Sequence, residues 1–138
     1  MIDSDELKTT IRRAYDEAFN RRNLAALDSL FAPAVGDRSV AKTEEQVGLD
    51  GFKRRIASHH AGVSDLRMTI DEILVDGDLV AFRWAFQGTN DGPWLAGPAT
   101  NRPFTLVGMN LERFEGSRIV EHFSYPNLLG LMRQLGVA

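Results

Sequence analysis

Apolar positions change period near residue 63. Before that point, Leu7, Ile11, Tyr15 and Ala18 recur at helical spacing, with Ala14 and Phe19 beside them. Asp3 followed by Glu6 has the spacing of an N-terminal cap. A first helix is therefore expected over residues 3–21. Asn23 predicts a cap for a short second helix carrying Leu24, Leu27, Leu30 and Phe31 and stopped near Pro33. A short strand is expected over 35–40. Asp50 predicts the cap of a third helix that holds Phe52, Ile56 and Ala57 and ends near Gly62.

Beyond residue 63 the apolar period falls to two. Leu66, Met68 and Ile70 alternate with polar residues, and the run continues to Val75. Asp76-Gly77-Asp78 is a turn signal. Val80, Phe82, Trp84 and Phe86 share one face of the next strand. A loop with Pro93 and Pro98 fills residues 88–102. Strands are then expected over 104–114 and 118–124, joined at Gly116-Ser117, and a short helix over 127–135 closes the chain. Helices and strands are segregated, which predicts an α+β fold with an antiparallel sheet covered on one face by the helices. A sheet curled round helices makes a cone whose mouth can hold a small molecule.

Composition narrows the function classes. At 138 residues the chain is expected to form one domain over 1–138 and to bury roughly two-thirds of its unfolded surface. Cysteine is absent, which removes disulfides, thiolate metal sites and a cysteine nucleophile. Sixteen Lys+Arg against nineteen Asp+Glu leave a net charge of −3, so no nucleic-acid partner is expected. No apolar run approaches the ~18 residues of a membrane helix, and the acidic start lacks the apolar stretch of a signal peptide. The cytoplasm is the expected compartment.

Several runs together resemble the SnoaL-like polyketide cyclase family of the nuclear-transport-factor-2-like superfamily. They are Gly88-Thr89-Asn90-Asp91-Gly92, Gly97-Pro98-Ala99-Thr100, Arg118-Ile119-Val120-Glu121-His122-Phe123 and residues 126–136, with Gly51-Phe52 and Phe31-Ala32-Pro33 further upstream. The resemblance implies a cone-shaped fold with a deep pocket and a small hydrophobic, oxygen-bearing ligand. It implies no cofactor, and a homodimer formed through the outer sheet face. The family's cyclases close rings by an intramolecular aldol reaction; others in the superfamily isomerise steroids, open epoxides, dehydrate or only bind.

The cyclase pattern carries an acid/base Asp where this chain has Ser124, a second Asp where it has Asn127, and histidines where it has Asn110 and Asn90. Neutral amides and hydroxyls orient ligands but do not readily move protons. The expectations are therefore a small-molecule pocket protein that binds or transforms its ligand, a non-catalytic accessory domain, or an isomerase or epoxide hydrolase that draws a carboxylate from Asp91 or Glu112. His122 shares strand parity with Ser124, and its unperturbed pKa near ~6.5 suits a base; these two are the catalytic candidates, set against a wall histidine that only satisfies a neighbour. Ligand-binding candidates are Arg38, Phe82, Trp84, Phe86, Trp94, Asn110, Glu112 and Asn127. For Glu112 the competing reading is a solvated or ion-paired residue near a strand end, and for the aromatics plain core packing. Lys53-Arg54-Arg55 reads as a solvated helix face. His59-His60 reads as cationic groups at a helix C-terminus, with no metal pair. Ile119, Phe123 and Tyr125 fall opposite the pocket-facing parity and are expected on the outer face. The pocket is expected to have room for a drug-sized molecule.

Overall fold

The Asp3 carboxylate accepts from the backbone N–H groups of Asp5 and Glu6 at 3.1 and 3.2 Å, satisfying donors that a helix start leaves open. The first helix, α1, follows as Ser4–Tyr15 and buries Leu7, Ile11, Ala14 and Tyr15. A wider π turn, Asp16–Asn20, extends it and adds Ala18 and Phe19 to the core. The computed structural model describes residues 3–39 and 47–138.

The expected second helix is a 3₁₀ segment, Leu24–Ser29. Asn23 makes no cap; its side-chain amide reaches Glu17 at 3.4 Å instead. Phe31 opens a strand, β1 (Phe31–Asp37), rather than closing a helix. Pro33 offers no N–H, and it sits in the irregular stretch between the paired residues Phe31 and Gly36. The strand expected over 35–40 thus begins earlier; Val40 lies outside the described residues. Helix α2, Gly48–Gly62, starts after Val47, so Asp50 is an acid in its first turn and not its cap.

Four strands follow: β2 (Arg67–Asp76), β3 (Leu79–Thr89), β4 (Pro103–Glu115) and β5 (Arg118–Pro126). Their turns carry Gly77 and Gly116, both at φ +61°. The sheet order is β1-β5-β4-β3-β2. β2 to β5 are antiparallel neighbours, whereas β1 lies parallel to β5 at the edge. The α+β architecture stands, with the short strand expected near 35–40 joining the sheet as β1 through a parallel pairing that the pattern does not predict. Helix α3 (Leu128–Leu135) is capped by Asn127, whose side chain accepts from Gly130 N at 3.0 Å.

One bulge corrects the expected parity of β5. The register of β4 against β5 shifts between Arg113 and Phe114, so Phe114 pairs with Ile119 and Arg113 with Glu121. A bulge turns the following side chains over. Ile119 is accordingly buried in the core instead of standing on the outer face, while Tyr125 is exposed and Phe123 half-buried. On the inner face, Val80, Phe82, Trp84 and Phe86 pack against the helices as the alternation predicts. Among the described residues no helix is long and apolar enough to cross a membrane.

Candidate functional site

Glu112 sits mid-sheet on the inner face of β4 and is 0% exposed. A carboxylate so placed must be matched by donors, and three converge on it. Tyr15 Oη donates to Oε1 at 3.0 Å from α1, Asn110 Nδ2 at 3.2 Å from two residues back, and His122 Nδ1 at 2.7 Å from β5. His122 Nδ1 also lies 2.9 Å from Oε2. Orientations follow from one group that can only donate. Trp84 Nε1 bonds Asn110 Oδ1 at 2.7 Å, so the amide presents its NH₂ to Glu112. The carboxylate then holds a proton of His122 on Nδ1 and turns Nε2 away from Glu112. Nε2 has no hydrogen-bond partner among the described residues. The imidazole is held edge-on to Phe31, with ring centres 5.9 Å apart, and against Phe52 at 4.8 Å. Burial, and next the Glu112 charge, push the Tyr15 hydroxyl well above its ordinary pKa, so it stays a donor.

A second buried pair lies beside the first. Asp37, paired in register with His122 across β1 and β5, stands 2.7 Å from Arg55 on α2. Asp37 also accepts from Ser39 N at 2.9 Å, and Arg55 reaches Ser39 Oγ at 3.3 Å. Burial pushes the Asp37 carboxyl up, but His122, Arg55 and the Ser39 bonds together hold it below the usual range. The Arg55 guanidinium lies over Phe52, 5.1 Å from the ring centre.

Tyr15, Arg55, Asn110 and His122 floor a small cavity of about 60 Å³ whose walls include Phe86, Trp94, Leu106, Ser124 and Leu131. At ~15 Å³ per water, the volume suits a few waters; the expected room for a drug-sized ligand is absent in this form. Trp94 and Leu95 close one side. Gly62 makes that possible, since a Cβ there would stand 2.5 Å from Trp94 Cβ and Cγ. Trp94 Nε1 donates to His59 Nδ1 at 3.0 Å. Burial, followed by the nearby charges of Arg55 and His60, lowers the His59 pKa to about 3. His59 is thus a neutral wall residue, not a cationic helix end, and His60 Nε2 donates to Phe19 O at 2.7 Å.

Of the residues expected from sequence, His122, Ser124, Asn110, Trp84, Phe86 and Trp94 line this one cavity. Glu112 does not line the cavity; it is buried and paired with His122, as the ion-paired reading has it, but not solvated. Three others fall elsewhere. Arg38 is 62% exposed in its side chain and faces Glu121 at 3.7 Å, because Asp37, its neighbour on the edge strand, takes the inward position. Phe82 is core, edge-on to Tyr15. Asn127 is spent on capping α3. Asp91, the alternative carboxylate, is exposed and bonded to Ser64. Arg55 is buried and ion-paired, not solvated.

Tyr15, Asp37, Arg55 and His59 were missed as site residues. The signals existed. Tyr15 lies in the apolar stripe of α1, where a hydroxyl needs a partner. Leu49, Phe52, Ile56 and His60 mark the buried face of α2 at helical spacing, and Arg55 and His59 flank it.

Comparison with known proteins agrees with this architecture. Among solved structures, TsrD from Streptomyces laurentii is 28% identical over 100% of both chains, with a TM-score of 0.89. IdmH from Streptomyces antibioticus, assigned as a polyketide cyclase, is 30% identical over 96% of this chain and 99% of its own, with a TM-score of 0.80. AclR from Streptomyces galilaeus, assigned as a hydroxylase, shares the fold at 20% identity and a TM-score of 0.82, over 99% of each chain. No curated protein matches the chain. The family model for SnoaL-like polyketide cyclases matches residues 9–135, and with nearly the whole chain inside that match, the protein belongs to the SnoaL-like polyketide cyclase family.

Proposed function

We propose that the protein moves a proton on a hydrophobic, oxygen-bearing small molecule without a cofactor, with His122 Nε2 as the base. The observation that carries this reading is the buried His122–Glu112 bond at 2.7 Å. It supplies the paired carboxylate that distinguishes a working base from a wall histidine. The Asp of the cyclase pattern is Ser124 here, so the proton carrier moves two residues along the same strand face. Ser124 and Asn110 orient the ligand, and Arg55 offers a positive charge to an oxygen on which charge develops.

Proton exchange tests this without knowledge of the natural substrate. A β-keto ester such as ethyl benzoylacetate is incubated in D₂O, and loss of its α-proton signal is followed by NMR. The wild type should exchange faster than buffer, and His122→Asn should lose roughly 10²–10⁴-fold of that rate. Binding of the ester with no exchange above buffer would select the accessory-domain reading and reject catalysis.

The half-exposed and exposed side chains Val107, Met109 and Tyr125 on the outer face, with Phe123 beside them, support a homodimer through β4 and β5. Sedimentation of a monomer at micromolar concentration would reject it.

A further inference from the structure

The β3–β4 loop is fastened at its base by backbone and Asn90 side-chain bonds and at its tip through Trp94. Asn90 exchanges backbone bonds with Arg102 and Asn101 at 3.0 and 2.8 Å. Its Oδ1 takes Thr100 N and Oγ1 at 3.0 and 2.9 Å, and its Nδ2 gives to Gly62 O and Gly92 O at 3.1 and 2.8 Å. The tip is a separate unit. Trp94 and Gly97 exchange both backbone bonds at 3.0 Å, which leaves Leu95 and Ala96 in a two-residue turn at φ +51° and +61°. Two successive side-chain-bearing residues in the left-handed region are strained, and such strain persists only where the surroundings hold it.

The tip delivers Trp94 to the cavity, edge-on to His59 with ring centres 5.8 Å apart. An indole N–H only donates, so the bond from Trp94 Nε1 requires the lone pair of His59 on Nδ1. The proton of the neutral ring then sits on Nε2, which has no hydrogen-bond partner among the described residues. His59 lines the cavity beside Phe86.

We propose that His59 Nε2–H is the donor that grips an uncharged carbonyl oxygen of the ligand, and that Trp94 is a positioning residue that sets this tautomer as the loop tip closes. An aromatic ketone exceeds the closed volume, so it enters with the tip displaced, and the Trp94–His59 bond re-forms over it. A donor that is uncharged at neutral pH polarises a carbonyl without attracting the proton that His122 removes. The inference rests on the reading above, that the cavity is the ligand site.

A matched pair of probes separates the two. Acetophenone and ethylbenzene differ in the carbonyl oxygen, and their binding is followed by amide shifts of the wild type, His59→Phe, His59→Gln and Trp94→Phe. The wild type should prefer the ketone by about tenfold, equivalent to one buried hydrogen bond. His59→Phe should abolish the preference while still binding ethylbenzene, and His59→Gln should restore part of it. In ¹⁵N spectra of the imidazole, wild-type His59 should show a bare Nδ1 and a protonated Nε2, and Trp94→Phe should show a mixture with a smaller ketone preference. An undiminished preference in His59→Phe, or a proton on Nδ1 of wild-type His59, overturns the inference alone. Failure of the wild type to bind either probe overturns the ligand-site reading and the inference with it. The wild-type nitrogen spectrum needs no variant to fold.

Discussion

The floor and the mouth of the cavity are built on opposite principles. At the floor, Tyr15, Arg55 and His122 are buried together with the Asp37 and Glu112 carboxylates behind them, and charges meet charges or multiple donors. At the mouth the wall is mostly apolar, and Trp94 is held by one side-chain hydrogen bond and a strained turn. A matched polar cluster in low dielectric has few alternatives and stays put. An apolar wall on a loop tip is exchanged for a ligand at small cost. The protein therefore fixes the reacting groups and lets access vary. Substitutions at the floor should damage stability and chemistry together; those at the mouth should alter entry and leave the fold intact.

Removing the central carboxylate tests the floor most severely. Glu112→Ala strands the Tyr15 hydroxyl, the Asn110 amide and the His122 proton in a buried site, and the expected loss is about 3–5 kcal/mol, read from urea unfolding. Glu112→Gln keeps the volume and should cost less stability, yet it removes the charge that orients His122, so proton exchange should still fall by roughly 10²-fold. A loss below about 1 kcal/mol for Glu112→Ala would mean that the cluster opens to water, and the contrast with the mouth would collapse.

The Asp37–Arg55 pair should behave as a unit. Asp37→Asn or Arg55→Met alone leaves one buried charge uncompensated, at about 3 kcal/mol. The double variant should recover a large part of that loss, because the second change removes the stranded charge. A double-mutant cycle on thermal or urea unfolding measures the coupling. Strict additivity of the two losses would show that the pair is not one interaction.

Acid should find His59 at the mouth. Its folded pKa, about 3, lies below the unfolded value near ~6.5. Below that upper value the unfolded chain takes up a proton that the folded chain refuses. The contribution is thus complete above pH ~6.5 and is lost as pH falls toward 3, at about 1.4 kcal/mol per unit. His59→Phe has no such proton to bind, so its stability should fall less steeply than the wild type between pH 6 and 4. Parallel curves for the two proteins would show that His59 titrates normally and is not locked beneath Trp94.

The sheet and part of the cavity wall are legible in the sequence; the charged floor is not. Period-two runs located β2 to β5 because alternation records one buried face directly, and the same parity put Asn110, His122 and Ser124 on a common face with the Trp84 stripe. The bulge at Val120 defeats parity for Ile119, since an extra residue in a strand leaves no mark in the apolar pattern. β1 was hard to read because an edge strand with Pro33 and irregular pairing resembles a helix end. Charged core residues were the largest gap. Arg55 and Glu112 looked like solvated groups because burial of a charge depends on partners far away in sequence; Glu112 meets Tyr15 across 97 positions. Asp37, not the expected Arg38, faces inward for the same reason, as adjacent residues on a strand face opposite ways and only the partner on α2 decides which is inside.

The smallest expected effect sharpens the mouth. Leu95 and Ala96 occupy turn positions at positive φ that favour Asn followed by Gly. Leu95 is 36% exposed, so replacing it forfeits little burial. Leu95→Asn with Ala96→Gly should relieve the left-handed strain, partly offset by the greater freedom glycine gives the unfolded chain. The net expectation is a gain of about 0.5–1 kcal/mol in urea unfolding, opposite in sign to every floor substitution. Because the relaxed tip no longer presses Trp94 toward opening, acetophenone should also associate more slowly in stopped-flow fluorescence, with the closed tautomer of His59 unchanged. A destabilised double variant would show that Leu95 packing, not backbone strain, governs the tip, and the mouth would then be a fixed wall like the floor.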